Sequence, residues 1–258
     1  MRFFEESLER HLRQRTSAIE SRLTRPRSHG PPSLESLFSV DSNDRCELEI
    51  ELQAKINTLN TEQKAAFDLC LNHFMEGTAA QPLQLIVSGE GGTGKSYLID
   101  AIQSLGLIAA AGSGQQQQSQ ACGICAPIAL LAPTGCAAFL ISGTTIHTGL
   151  RSSISSSENF ETPGDSTLLK LRREWAGVKM VIIDEMSMIS LETLAAIDQR
   201  LKAITGKHDQ SFGGLSVVLC GDLYQLMPVK GRTLYAGEND TRNDKKKSAR
   251  MLWQSTFR

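Results

Sequence analysis

Gly89-Glu90-Gly91-Gly92-Thr93-Gly94-Lys95-Ser96 has the composition of a loop that wraps phosphate. It matches G-x-x-x-x-G-K-[ST] throughout. Glycines 91, 92 and 94 let the backbone curl so that successive N–H groups turn inward toward an anion. Lys95 then reaches the β- and γ-phosphates, and the Ser96 hydroxyl supplies one oxygen to a magnesium ion. A glycine turn that merely joined a strand to a helix would not need Lys-Ser after its last glycine. Two further groups suit the same chemistry. Asp184 and Glu185 follow the apolar run Val181-Ile182-Ile183. Asp184 fits the acid that holds magnesium in nucleotide hydrolysis, and Glu185 the base that orients the attacking water. Gln225 follows Val217-Val218-Leu219-Cys220-Gly221-Asp222-Leu223-Tyr224. Its amide can donate to a γ-phosphate oxygen and accept from water, as a sensor of nucleotide state must. Taken alone, Asp184-Glu185 is also readable as a surface helix start, and the Gln225 segment as an ordinary polar turn.

The elements that must position these residues are legible around them. Leu83-Gln84-Leu85-Ile86-Val87 reads as a short buried strand feeding the glycine loop, with a helix following from about Gly94 to Leu105. The loop's anion then also meets the positive end of that helix. Ile128–Ala132, Val178–Ile183 and Leu215–Cys220 read as further strands. Leu194, Ile197, Leu201 and Ile204 mark a helix between the last two. Upstream, Asn60-Thr61-Glu62-Gln63 predicts a helix start with Asn60 as N-cap and Gln63 at the third helical position. Strands alternating with helices predict an α/β fold, a mostly parallel sheet with helices on both faces. In such sheets ligands bind at the carboxyl ends of the strands, where all three polar groups fall.

The rest of the chain narrows the class. Lys+Arg at 27 against Asp+Glu at 28 gives a net charge of −1, so no global positive field points to nucleic acid. A local groove stays possible. No apolar run approaches the roughly 20 residues of a membrane helix, and the charged start Met1-Arg2-Phe3-Phe4-Glu5-Glu6 is unlike a signal peptide. The expectation is an intracellular chain without a membrane partner. Cys122 and Cys125 form a C-x-x-C with no second ligand pair in sensible spacing, and read as reduced thiols in a loop. Residues 112–123 are rich in glycine and glutamine and predict a loose surface insertion. Residues 1–57 read as an N-terminal extension, partly helical or poorly ordered. Its basic stretch to Arg27 breaks at Ser28-His29-Gly30-Pro31-Pro32, and an acidic stretch over 34–55 follows. That arrangement is either a partner-binding arm or a set of solvated charges.

Several motifs in fixed order carry a family resemblance. Leu59-Asn60-Thr61-Glu62-Gln63, Gly89–Ser96, Ala132-Pro133-Thr134-Gly135, Asp184-Glu185-Met186-Ser187-Met188 and Gly221-Asp222-Leu223-Tyr224-Gln225-Leu226 together resemble the first motor domain of superfamily-one DNA helicases. More narrowly they resemble the PIF (petite integration frequency) family. Thr144-Thr145-Ile146-His147 and Ser211-Phe212-Gly213-Gly214-Leu215-Ser216 are similar to its branch in Helitron transposons. The resemblance covers residues 58–258. It implies a RecA-like P-loop domain that uses ATP and Mg2+ to move 5′-to-3′ on single-stranded DNA, with nuclear location as a family-based expectation. It further implies that Gln63 reads the adenine edge beside the phosphate-loop residues Gly89, Glu90, Gly91, Gly92, Thr93, Gly94, Lys95 and Ser96. Lys95, Asp184, Glu185 and Gln225 would form the catalytic centre, with Ser96 and Asp184 on the metal. Thr134, Gly135 and His147 would line the DNA path. His147 is equally readable as a structural residue of its own turn.

Two departures accompany the resemblance. Met227 stands where the family usually has proline, with Pro228 next to it to stiffen the turn. Leu252-Trp253-Gln254-Ser255-Thr256-Phe257-Arg258 resembles the segment just before the fourth helicase motif, so the expectation is that the second motor domain is absent from this chain. The sequence is then either part of a helicase or an ATP- and DNA-binding module without motor activity. In both cases the chain alone is expected to hydrolyse ATP slowly and not to unwind duplex.

Overall fold

The computed structural model describes residues 42–76, 81–112, 124–125, 127–151, 163–229, 231–235, 250–254 and 257. The N-terminal basic stretch, the glutamine-rich insertion and Cys122 lie outside them. At the centre is a six-stranded sheet: β1 (Gln84–Ser88), β2 (Ile124–Cys125), β3 (Ile128–Ala132), β4 (Thr144–Thr145), β5 (Met180–Ile183) and β6 (Ser216–Gly221). The order is β1-β6-β5-β3-β2, and β4 pairs with the other end of β3's outer edge. Every pairing is parallel except the short β2–β3 ladder.

Strand alternation divides the interior into two cores. Ala129, Leu131, Val181, Ile183, Val217 and Leu219 face one way, against the helices Leu191–Thr205 and Asp165–Glu174. Ile128, Leu130, Ala132, Met180, Ile182, Val218 and Cys220 face the other, against Lys95–Gly112 and Thr61–Glu76. Because side chains of a strand alternate in direction, nearly continuous apolar runs are what a sheet covered on both faces requires. The helix Leu191–Thr205 presents Leu194, Ile197, Leu201 and Ile204 to its core, the periodic set expected from the sequence. Ser190 caps its start by accepting from the Thr193 N–H at 3.0 Å, and Gly206 ends it in the left-handed conformation at φ +75°.

The capping box at the start of Thr61–Glu76 is also formed. Asn60 Oδ1 accepts from the Gln63 N–H at 2.8 Å, and Gln63 Oε1 accepts from the Asn60 N–H at 2.9 Å. The acidic stretch upstream differs from the reading of solvated charges. Ser42–Thr58 is a helix whose Leu52 is buried in the second core, with Ile56 packed against it. Lys55 donates to Ser104 at 3.0 Å and pairs with Asp100 at 2.7 Å and Glu51 at 2.9 Å. Burial opposes its charge, and the bonds and charges of Asp100 and Glu51 outweigh that, so its pKa is raised. A charge-rich segment reads as loose only if its few apolar residues are ignored. Here Leu52 and Ile56, at i,i+4, are enough to seat it.

Candidate nucleotide site at the carboxyl edge of the sheet

The register places Ser88, Ala132, Ile183 and Gly221 at one edge, so the four turns that follow them leave the sheet side by side. The phosphate loop leaves β1. Its first residue is fixed across the sheet, the Gly89 N–H donating to the Gly221 carbonyl at 3.2 Å. Inside the loop, Thr93 Oγ1 donates to Glu90 O at 2.8 Å, and Gly92 and Gly94 take φ of +81° and +82°. L side chains rarely adopt that conformation, so the glycines at both positions are a steric requirement. Lys95 opens the following helix, and its Nζ donates to the Gly89 carbonyl at 2.6 Å and the Glu90 carbonyl at 2.8 Å. Ser96, next along, is exposed.

Asp184 and Glu185 leave β5 at the same edge. Asp184 is 7% exposed, and its N–H donates to Leu131 O at 3.0 Å. Burial raises its carboxyl pKa, while a hydrogen bond from the Glu185 backbone and the charge of Lys95 pull the other way. Burial also raises Glu185, assisted by the charges of Asp184 and Asp222 and opposed by Lys95. These interactions bring Lys95, Asp184, Glu185 and Asp222 into one electrostatic cluster. Glu185 occupies the left-handed region at φ +53°, ψ +48°, an uncommon and strained state for a non-glycine residue. Gly221 makes room for that turn. At its φ of +151° a Cβ would fall 2.8 Å from the Met186 backbone nitrogen.

Gln225 completes the group from the turn after β6. Its N–H donates to Asp222 O at 3.1 Å, and its Nε2 lies 3.3 Å from where a Cβ on Gly91 would stand. Asp222 was not singled out as a site residue in the sequence. It is 8% exposed, and its Oδ1 accepts from the Tyr224 N–H at 2.9 Å. Its signal was available as a second Asp directly after an apolar strand. Gln63 approaches from the other side, Nε2 donating to the carbonyls of Thr93 at 3.0 Å and Gly94 at 3.2 Å. With Oε1 on the Asn60 N–H, one end of its amide closes the helix cap and the other holds the loop.

Thr134 and Gly135 follow β3 at the same edge. Thr134 Oγ1 caps Gly135–Leu140 by accepting from the Ala137 N–H at 3.2 Å, and Gly135 is exposed with nothing near a prospective Cβ. His147 is exposed on the short helix Ile146–Gly149, which Thr145 caps. Phe139 and Leu140, at the far end of the helix that Thr134 caps, are 84% and 76% exposed, and nothing in the sequence singled them out. They are apolar residues in an apolar helix, and nothing local says which of its sides is covered.

A mostly parallel sheet covered on both faces, with a phosphate loop after its first strand and acids after β5, one strand removed from it across β6, defines the RecA-like P-loop class. The chain belongs to the PIF1-like helicase family, whose profile matches residues 58–255. It is 33% identical over 177 residues to the ATP-dependent DNA helicase PIF1 of Xenopus laevis, covering 66% of this chain and 23% of that protein. To the ATP-dependent DNA helicase PIF1 of Candida albicans it is 28% identical over 204 residues, covering 76% and 20%. The crystal structure of Pif1 helicase from Candida albicans aligns with a TM-score of 0.54 at 23% identity, covering 78% of this chain and 38% of that one, a likeness of fold. The chain thus spans about a fifth to a quarter of the length of these curated relatives. Among the described residues no helix is long and apolar enough to cross a membrane.

Proposed function

We propose that residues 58–258 are the ATP-hydrolysing first motor domain of a DNA helicase that moves 5′-to-3′ on single-stranded DNA. The observation that carries the reading is the convergence of Lys95, Asp184, Glu185 and Gln225 on the phosphate loop. In this reading the loop N–H groups hold the β-phosphate, and Lys95 exchanges the Gly89 and Glu90 carbonyls for phosphate oxygens. Glu185 accepts a proton from the attacking water, for which a carboxylate with a raised pKa is suited. Gln225 reports the γ-phosphate to the turn after β6.

Asp184 fits a magnesium site. It is a buried carboxylate whose charge burial penalises, and with the Ser96 hydroxyl at the start of the helix after the loop it would supply the hard oxygens that Mg2+ prefers. Bound there, the ion would neutralise charge on the phosphates. Thr134, Gly135 and His147 offer backbone and small polar groups for a DNA backbone, and Phe139 and Leu140 on the helix that Thr134 caps offer apolar surface for bases.

Equilibrium binding of a fluorescent ATP analogue with Mg2+ tests the roles. Lys95→Ala removes most of the affinity, about tenfold or more, because a charge-assisted phosphate contact is lost. Glu185→Gln leaves binding within about twofold and abolishes hydrolysis, since its partner is the water and not the nucleotide. Equal loss of binding in both variants contradicts the assignment.

A further inference from the structure

At the opposite edge of the sheet, where β1, β5 and β6 begin, the surface folds into a cleft of about 700 Å³. Among the lining side chains that the structure describes, the titratable ones are His73, Lys179 and Lys207, and none is a carboxylate. Neither lysine is paired with an acid among the described residues, and Asp209, in the same loop as Lys207, is not part of the lining. Neutral polar residues share the lining with the cations: Gln81, Gln84, Gln210 and Ser211. Phe74, Pro82 and Leu215 add an apolar wall.

The floor is held by the sheet itself. The Ser216 N–H donates to Lys179 O at 3.0 Å, the Val217 N–H to Leu83 O at 2.8 Å, and the Lys179 N–H to Pro127 O at 2.8 Å. Ser216 is 1% exposed, and its Oγ accepts from the Leu83 N–H at 2.9 Å while pairing with His73 Nε2 at 2.7 Å. Gly214, at φ +72°, keeps the loop close, and a Cβ there would stand 3.2 Å from Lys207 Cδ. The cations therefore border a backbone that is already fixed, and the ordering cost of binding falls on the exposed lysine side chains.

We propose that this cleft binds a phosphate ester, at a site separate from the phosphate loop by the length of β6, about 20 Å. Two ammonium groups that pair with no acid among the described residues, with amide side chains in the same lining, form an anion site. The volume suits a group as large as a nucleotide and exceeds what a single small ion needs. The phosphate has two possible sources, a free nucleotide-like ester or the backbone of a nucleic-acid strand passing the edge. The inference does not rest on the ATPase reading.

The test uses the full chain labelled with ¹⁵N and carrying Lys95→Ala, so that the phosphate loop does not compete. Thymidine 5′-monophosphate, inorganic phosphate and a ten-residue oligothymidine without terminal phosphates are titrated in turn, following the amides of Lys179 and Gly214. A saturable shift is expected with the mononucleotide or the oligothymidine, about tenfold weaker in Lys179→Gln/Lys207→Gln with the spectrum otherwise unchanged. Saturation by the mononucleotide assigns a free ester, saturation by the oligothymidine alone assigns a strand, and saturation by inorganic phosphate alone overturns the ester assignment. Absence of saturable shifts with all three probes overturns the proposal, as does equal affinity in the double variant. ATP binding to the chain with Lys95 intact is a separate measurement, so failure here leaves the nucleotide site untouched.

Discussion

Gln63 does two jobs with one amide, and a single substitution separates them. Its oxygen accepts from the Asn60 N–H, while its nitrogen donates to Thr93 and Gly94 in the phosphate loop. Gln63→Glu keeps an acceptor for the helix cap and replaces the donor with a charge facing two carbonyls. The expected outcome is a helix start nearly as stable as before, within about 0.5 kcal/mol by denaturant unfolding. ATP affinity is expected to fall several-fold by titration. Full retention of affinity would show that the loop does not need this tie. The acid pair gives a second expectation. Glu185 has a raised pKa, so between its ordinary value and the raised one the folded chain binds more protons than the unfolded chain. Stability is then highest below the ordinary carboxylate range and falls as pH rises through the raised value. Glu185→Gln removes both the burial cost and the repulsion from Asp184 and Asp222. The nucleotide-free chain is expected to gain in Tm at pH 7, and the gain should vanish near about pH 4, where Glu185 is protonated anyway. Thermal melts at the two pH values check it, and an equal gain at both would refute the charge argument.

At the scale of elements, function depends on how closely turns from different strands approach one another. Gly221 lies against the Asp184-Glu185 turn, so Gly221→Ala forces a Cβ into the Met186 backbone at 2.8 Å. A cost of about 2 kcal/mol is expected in chemical denaturation, because backbone cannot swing aside as a flexible side chain can. Gly135→Ala, with nothing within 4 Å, is the matched control and should be near neutral. The helix Gly135–Leu140 carries a different expectation. It buries Ala137 and Ala138 and leaves Phe139 84% exposed. Phe139→Ala should leave Tm almost unchanged and weaken single-stranded DNA binding by roughly 1–3 kcal/mol if a base stacks there. Fluorescence anisotropy with oligothymidine reads the loss directly.

At the scale of the whole molecule, the two cores meet across the sheet, whose strands β3, β5 and β6 are buried throughout, and the cysteines report on it. Cys70 and Cys220 are both fully buried in the same core. Burial pushes the Cys70 thiol up to about 12 and raises Cys220 as well, so neither carries useful thiolate at neutral pH. Cys136 is exposed. Peptide mapping after brief alkylation should find Cys136 modified and Cys70 and Cys220 protected until denaturant unfolds the chain. Early modification of Cys220 would mean that β6 opens locally, contrary to a central strand's place in the cooperative core.

What the sequence by itself determined is whatever one segment can specify alone. The phosphate loop, the Asn60–Gln63 capping box, the apolar strands and the helix Leu191–Thr205 depend on residue type and local spacing, and neighbours in sequence are neighbours in space there. Strand order, and therefore which turns share an edge, was decided by tertiary structure, because β1 lies beside β6 across more than 120 residues of chain. So were the second role of Gln63, the membership of Asp222 in the charge cluster and the seating of Ser42–Thr58 through Leu52 and Lys55. Each of these needs a partner that no local pattern names, and the partner is supplied only when distant segments pack.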